Sequence, residues 1–445
     1  MTTTIEDRRR VLLADLVNRS DLDPRVDARF AEHYYRHVLT PELLQRHPED
    51  LLGIITSHLE LAGRRRPGDI LVRAFKPEVS SHGWGTGSTI VQVVVDDSPY
   101  IVDSIIAELD RQGRTIRLLA HPQLDVARNQ DGELLALSDG LIAESWVHVE
   151  LPPAAGSAVL GQISARLESV LSDVAAAVND GPAMVQRVLE LAEEIEAADV
   201  AGSADEKRHA RELLEWLTQD NFLFLGYRPD SGGSNSEVVA GPRSGLGLLA
   251  TPRARARFDM APDERLLILS KSSHRSTVHR DAPLDEITVS ARDDESDTVV
   301  NHRIVGLYTS KAYNASIESI PFLTDKVADI QQRSGYAPDS HAAKDLLSVL
   351  ATYPRDELLQ ADAEFLTRVA TTVVASLQHG QLLLFGRPDT SGRSISHVVY
   401  VPRDRYDSQL RQRIETILVA AYGDVEVDHT VRLGETPLAI AQFVV

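Results

Sequence analysis

Asp96, Asp97, Ser98 and Pro99 are the one group of neighbouring residues in this chain with a positive case for holding a ligand. They fall where a strand hands over to a helix, and the exposed N–H groups at such a junction can hold a small carboxylate. Asp97 can pair an amino group, so a free amino acid suits the cluster. A plainer reading competes with it. Ser98 can accept from the first free N–H groups as a helix N-cap, and Pro99 suits the first turn because its missing donor costs nothing there.

Other residues with chemical potential read as structure. Gly245-Leu-Gly-Leu-Leu-Ala250 has the G-x-G-x-x-A spacing of a dinucleotide fingerprint, but a true one follows a buried strand and opens a helix. Here Gly241-Pro-Arg-Ser precedes it and Thr251-Pro-Arg follows, so a loop is expected and no cofactor is assigned to this chain. Gly83-Trp-Gly-Thr-Gly87 lacks that spacing altogether. His33 and His37 sit four apart in a helical stretch, yet no glutamate follows His33 and the zinc-protease pattern is missing. His148 and Glu150 share one strand face with no third ligand, so no metal is assigned. His121-Pro-Gln123 reads as the end of a strand. Asp293-Asp-Glu-Ser-Asp297 lacks the glycine and distal glutamate of a calcium loop and reads as a solvated hairpin. Arg8-Arg-Arg10 and Arg64-Arg-Arg66 read as solvated faces. No serine occupies a G-x-S-x-G elbow and no carboxylate pair has a telling spacing, so no catalytic residue is assigned.

The elements around the cluster are legible. Ile90 to Val95 is a near-continuous β-branched run, the mark of a buried strand. Ile101, Val102, Ile105, Ile106 and Leu109 then share one helical face, and Gly113 ends the helix. Extended structure resumes over 114–126, a loop follows near Asp131-Gly132, and strand 144–151 and helix 157–178 complete the module. Ile70 to Phe75 is expected to close its sheet as an edge strand from the N-terminal side. Before it, helices are expected over 8–17, 24–40 and 41–61, the second started by Asp23 and Pro24. After it, 182–218 is helical, and strands are expected at 221–228, 266–270, 286–290 and 300–308, with a turn at Arg292–Asp297. Helices at about 323–334 and 340–351 lead to Tyr353-Pro-Arg-Asp-Glu-Leu358, after which a long helix runs to about Gln378. The last segment repeats the β-α-β-β pattern: strand 398–401, a helical stripe of Leu410, Ile414, Ile417 and Leu418 capped by Gly423, and strands 425–431 and 439–445.

At 445 residues the chain is too long for one core. It carries 46 basic against 66 acidic residues, a formal charge of −20, which argues against a nucleic-acid partner. Without cysteine there is no disulfide, thiol nucleophile or cysteine metal site. No apolar run reaches the roughly 18 residues a membrane helix needs. Met1 to Arg10 lacks a signal-peptide core, so a cytoplasmic location is expected.

The β-α-β opening is how small-ligand regulatory modules of the ACT type begin, and several segments together resemble the N-terminal region of the large NAD-specific glutamate dehydrogenases. The matching pieces are Val95-Asp-Asp-Ser-Pro-Tyr-Ile-Val-Asp-Ser-Ile105, His121-Pro-Gln123, Asn221-Phe-Leu-Phe-Leu-Gly-Tyr227 and Leu267-Ile-Leu-Ser-Lys271. Arg303-Ile-Val-Gly-Leu-Tyr-Thr-Ser-Lys-Ala-Tyr313, Ile320-Pro-Phe-Leu323 and Tyr353-Pro-Arg-Asp-Glu-Leu358 complete the series. The resemblance implies an α+β, multi-domain fold in which ACT-like (ferredoxin-like β-α-β) modules are separated by helical linkers and a further β-rich module. The expected division is 1–67 helical, 68–180 a first ACT-like module, 181–219 a helical linker, 220–322 a β-rich module of ACT-, PAS- or PDZ-like type, 323–379 a helical linker, and 380–445 a truncated C-terminal ACT-like module.

The resemblance also implies a regulatory and oligomerisation region of an enzyme that converts L-glutamate, NAD and water to 2-oxoglutarate, ammonia and NADH. That enzyme is expected to be a homo-oligomer, a tetramer. A free-standing amino-acid sensor without activity is the alternative. One departure stands out: ACT effector turns often place glycine after the proline, where this chain has Tyr100, whose bulk can fill the ligand niche and counts against amino-acid binding there.

Overall fold

The computed structural model describes all residues except 1–3, 18–22, 138–139, 155, 198–201, 232–244, 251–264, 294–297, 378, 391, 424 and 434–436. The chain forms two compact units. The first is Met1–Val178 with the segment Thr277–Asp281, and the second is Asn179–Ser276 with Ala282–Val445.

The first unit opens with helices α1 (Ile5–Val17), α2 (Ala28–Tyr34), α3 (Thr40–Leu44) and α4 (Pro48–Ala62). The expected continuous helix over 24–40 is not formed. Asp23 spends its carboxylate on Arg25, and Asp27 caps instead, accepting from the Phe30 N–H at 2.7 Å. His37 therefore lies beyond the end of α2, and the two histidines do not share a helix face.

After β1 (Leu71–Phe75) and the single turn α5 (Val79–His82) come β2 (Thr89–Asp96), α6 (Ile101–Arg111), β3 (Leu118–Ala120), β4 (Gln123–Arg128), β5 (Leu134–Ala136) and β6 (Ile142–Leu151). The sheet order is β1-β2-β6-β4-β5, with β3 also on β6 and every pairing antiparallel. β1 takes the expected edge position, Leu71 opposite Val94. His121-Pro122 separates β3 from β4, since proline cannot continue the ladder.

Thr89 to Val95 is buried at every position because both faces of β2 are covered. Ile90 and Val94 pack with Trp146 of β6 against Phe30, Leu51 and Ile54 of the N-terminal helices. Val91, Val93 and Val95 alternate to the opposite face. His58 of α4 joins the layers: its Nε2–H donates to the Val93 carbonyl at 3.0 Å, which leaves Nδ1 to accept from the Tyr34 hydroxyl at 2.7 Å.

A break expected near 178–182 is absent. α7 (Ser157–Ala197) runs through Pro182, forgoing one backbone hydrogen bond there. In the second unit α8 (Ala204–Trp216) opens with a full capping box, Ser203 and Glu206. β7 (Phe222–Ser231), β8 (Leu246–Gly247), β9 (Leu267–Arg275), β10 (Pro283–Asp293) and β11 (Thr298–Tyr308) form an antiparallel sheet of order β8-β7-β11-β10-β9. The turn expected at Arg292–Asp297 lies largely outside the described residues.

Helices α9 (Ser310–Asn314), α10 (Leu323–Ser334), α11 (His341–Thr352), α12 (Arg355–Gln360) and α13 (Ala363–Ser376) follow. The long helix expected after Leu358 is α13, whose start Asp362 caps by accepting from the Phe365 N–H at 2.7 Å. β12 (Leu383–Pro388), β13 (Ile395–Pro402), α14 (Ser408–Tyr422), β14 (Asp428–Leu433) and β15 (Leu438–Val444) then form a four-stranded sheet of order β12-β13-β15-β14. One face of it, with Val398, Tyr400 and Ile440, joins the large core of this unit. The other, with Val399, Val401 and Phe443, packs on Leu410, Ile414 and Leu418 of α14. No helix among the described residues is long and apolar enough to cross a membrane.

His58 gives the first unit a pH response. Burial lowers its pKa from 6.5 to about 3, so it stays neutral in the fold while the unfolded chain takes up a proton. Stability should therefore fall as pH drops from 6.5 towards 3, by up to about 1.4 kcal/mol per pH unit from this group. Urea unfolding across that range should show the slope, and His58→Gln should flatten it.

Candidate functional site

The turn that carries Asp96 to Pro99 is strapped to the sheet from which it emerges. Asp97 N–H donates to the Ala143 carbonyl at 2.9 Å, and the Asp97 carboxylate accepts from the Ser145 hydroxyl and from both Gln123 contacts at 3.1 Å. The His121 Nε2 lies 3.0 Å from Ser145 Oγ on its other side. Since Ser145 gives its proton to Asp97, His121 must supply the proton of that second bond. A serine between the acid and the histidine is the wrong order for nucleophilic activation, which needs the histidine in the middle.

Asp96 is held more firmly. It pairs with Arg65 Nη2 at 2.6 Å and accepts from the Gly68 N–H at 2.7 Å. Arg65 also donates to Glu144 at 2.8 Å, and Glu144 receives Arg128 at 2.7 and 2.9 Å and the Trp146 indole at 3.0 Å. Burial pushes the Glu144 carboxyl up, but Arg128, Trp146 and Arg65 together hold it below its ordinary value. The cluster predicted from sequence is thus brought together at one end of the sheet. Among the described residues, Asp97 accepts from the neutral side chains of Ser145 and Gln123.

Ser98 does not cap the helix as expected. α6 starts at Ile101, the N-cap position is Tyr100, and the Tyr100 side chain makes no capping hydrogen bond. The chain follows the sheet through Asp97 and turns only at Tyr100, whose φ of +71° lies in the left-handed region that favours glycine. Tyr100 thus stands in a glycine-type conformation despite its bulk. Its ring packs on His279 at a centroid distance of 5.2 Å, within the segment that completes the first unit. His279 is tied to the first turn of α6, with Nδ1 3.0 Å from Asp103 and its N–H donating to Ser104 Oγ at 2.9 Å.

The remaining candidates resolve as structure. Gly245–Ala250 contributes β8 and a turn: Gly247 pairs with Gly226, and Gly247 has φ +56°. The motif opens no helix within these residues. The His148 ring is buried 3.7 Å from Glu150, whose carboxylate is taken by Arg46 at 2.5 and 3.0 Å. His33 Nε2 meets the Gln123 carbonyl at 2.7 Å. Among the described residues no group of histidines and carboxylates is placed to hold a metal.

The second unit contains a charged centre that the sequence reading missed. Lys271 of β9 lies 2.6 Å from Asp285 of β10 and 3.3 Å from Asp356 of α12, and Gln442 of β15 donates to Asp356 at 3.2 Å. Beside it, Arg387 donates to both oxygens of Glu357 at 2.8 Å. Burial lowers the Lys271 pKa, yet the two carboxylates outweigh it and hold the ammonium well above its usual range. A lysine so held is neither a base nor a nucleophile near neutral pH. It joins the β-rich sheet, the helices and the last sheet. A lysine placed just beyond the apolar run Leu267-Ile-Leu of a strand was the available signal.

Family models for glutamate dehydrogenase match three stretches of the chain: the ACT1 domain at 30–167, helical motif 1 at 320–378 and the ACT2 domain at 383–445. NAD-specific glutamate dehydrogenases match it almost end to end. The protein from Halomonas elongata is 32% identical over 96% of the chain, and that from Pseudomonas aeruginosa is 32% identical over 93%. A third, from Mycobacterium tuberculosis, is 33% identical over 89%. This chain belongs to the large NAD-specific glutamate dehydrogenases, in their N-terminal, ACT-bearing portion.

It spans only about a quarter of those relatives, 28%, 27% and 24% of their lengths. On this glutamate dehydrogenase segment the ACT1 match covers the Asp96–Tyr100 turn and the Arg65–Glu144 network, and helical motif 1 covers Asp356 and Glu357.

Replacing Lys271 by Met should strand two buried carboxylates and cost about 3–5 kcal/mol. Urea unfolding should show a lower midpoint, and adding Asp285→Asn and Asp356→Asn should recover much of the loss.

Proposed function

We propose that this chain is the regulatory and assembly portion of an NAD-dependent glutamate dehydrogenase, an oxidoreductase of amino-acid catabolism. The whole protein would convert L-glutamate, NAD and water to 2-oxoglutarate, ammonia and NADH. It would act in the cytoplasm as a homo-oligomer, with NAD held outside these residues. The observation that carries the reading is the pair of ferredoxin-like antiparallel sheets, both matched by glutamate dehydrogenase ACT models, in a chain spanning about a quarter of its relatives.

Within that reading, the Asp96–Pro99 turn is the seat for an amino-acid effector. Asp96 anchors the turn through Arg65 and Gly68. Asp97 offers a carboxylate balanced only by Ser145 and Gln123, suited to an ammonium group. The uncapped N–H groups at the start of α6 suit the effector's carboxylate. Ser98 and Pro99 form the backbone between them.

Two measurements test this. The chain alone, given L-glutamate and NAD, should form no NADH, and clear turnover would overturn the scaffold reading. Titration calorimetry with a panel of amino acids should give saturable heat that Asp97→Asn removes. No heat with any of them would leave the turn a structural element.

A further inference from the structure

One face of the β-rich sheet in the second unit is polar although it is buried. Antiparallel register sets Arg303 of β11 directly opposite Arg228 of β7 and beside Thr288 of β10, so these three side chains share that face. Two like charges opposed across strands are unfavourable unless something of opposite sign lies between them. Both guanidinium groups are buried, with Arg228 7% and Arg303 4% exposed.

Their compensation within the described residues is partial. Asp230 accepts from Arg228 Nε at 2.7 Å and Nη2 at 3.0 Å, and the same carboxylate lies 3.5 Å from Arg303 Nη2. Glu286 lies 3.1 Å from Arg303 Nε without the alignment of a hydrogen bond, and Arg393 claims its other oxygen at 3.3 Å. Arg228 Nη1, Arg303 Nη1 and Arg303 Nε are left with no hydrogen-bond partner. A buried guanidinium nitrogen without an acceptor is costly, and buried donors are nearly always satisfied by protein, water or ligand.

We infer that Arg228 and Arg303 form a binding site for a small oxyanion, a carboxylate or a phosphate, in the β-rich module. Paired guanidinium forks present parallel N–H donors that match two oxygens of either group. Asp230 holds both forks in place from the other edge. Glu286 keeps the site from being so positive that it would bind anions without discrimination. This site lies in a different module from the Asp96–Pro99 turn and stands without the effector reading.

The test is thermal unfolding of the full 445-residue chain at constant ionic strength, titrated separately with inorganic phosphate and with L-glutamate. A saturable rise in Tm with either probe is expected, and which probe acts tells a phosphoryl from a carboxylate ligand. Arg303→Met should abolish the rise. Arg228→Lys, which keeps the charge but loses the fork, should weaken apparent binding about tenfold. Glu286→Gln should tighten it. Should Arg303→Met fail to fold, the other two variants carry the test. No rise with either probe, or a rise of equal size in Arg228→Lys and Arg303→Met, would overturn the inference.

Discussion

A sheet whose strands are apolar on both faces cannot stand alone in water, and the architecture of this chain follows from that constraint. β2 is buried from Thr89 to Val95 and β13 from Ser396 to Val401. Each needs cover on two sides. The N-terminal helices supply one side for β2, through Leu51, Ile54 and Phe30 against Ile90 and Val94. For β13, α14 covers Val399 and Val401, while Val398 and Tyr400 enter the large core that also holds α8 and α10–α13. The helical segments that flank the sheets are therefore the missing layers of those sheets.

Deep burial dictates the electrostatics in turn. A charge inside such a layer persists only with a partner. Glu144 on β6 meets Arg65 and Arg128, and Lys271 on β9 meets Asp285 and Asp356. These networks hold separate elements in register, and in the first unit they reach outward to Asp96 at the surface turn. The working turn is thus positioned by buried charges behind it. At Arg228 and Arg303 the same logic leaves donors open on two cations that oppose each other across paired strands.

The local pattern of the sequence was a good guide wherever one chemistry dominated. The β-branched run before Asp96, the stripe of α6 and the apolar segments of β7, β11 and β15 all form the elements their spacing predicts. The α+β fold of ACT modules and the family resemblance were legible for the same reason. β12 was missed because Leu382-Leu-Leu-Phe385 contains no β-branched residue, and leucine favours helix. It is an edge strand whose outward positions include the apolar Leu384, so its in–out alternation is not written as apolar and polar residues. The helix start at Asp27 was lost beside the competing Asp23, and only the bond to Phe30 selects it. At the candidate site, Asp96 to Pro99 could be singled out locally. Arg65, Glu144 and Gln123 could not, since they reach the turn only through sheet pairing. Nor could periodicity disclose that Tyr100 takes a left-handed backbone.

Native-state hydrogen exchange tests most directly the claim that two-faced burial makes the sheets a rigid platform for the turns. The amides of β2 and β13 should exchange only through global unfolding of their units. The first N–H groups of α6, from Ile101 to Asp103, should exchange orders of magnitude faster. If the β2 and β13 amides exchanged as quickly as those of α6, the sheets would be no platform and the account would be wrong.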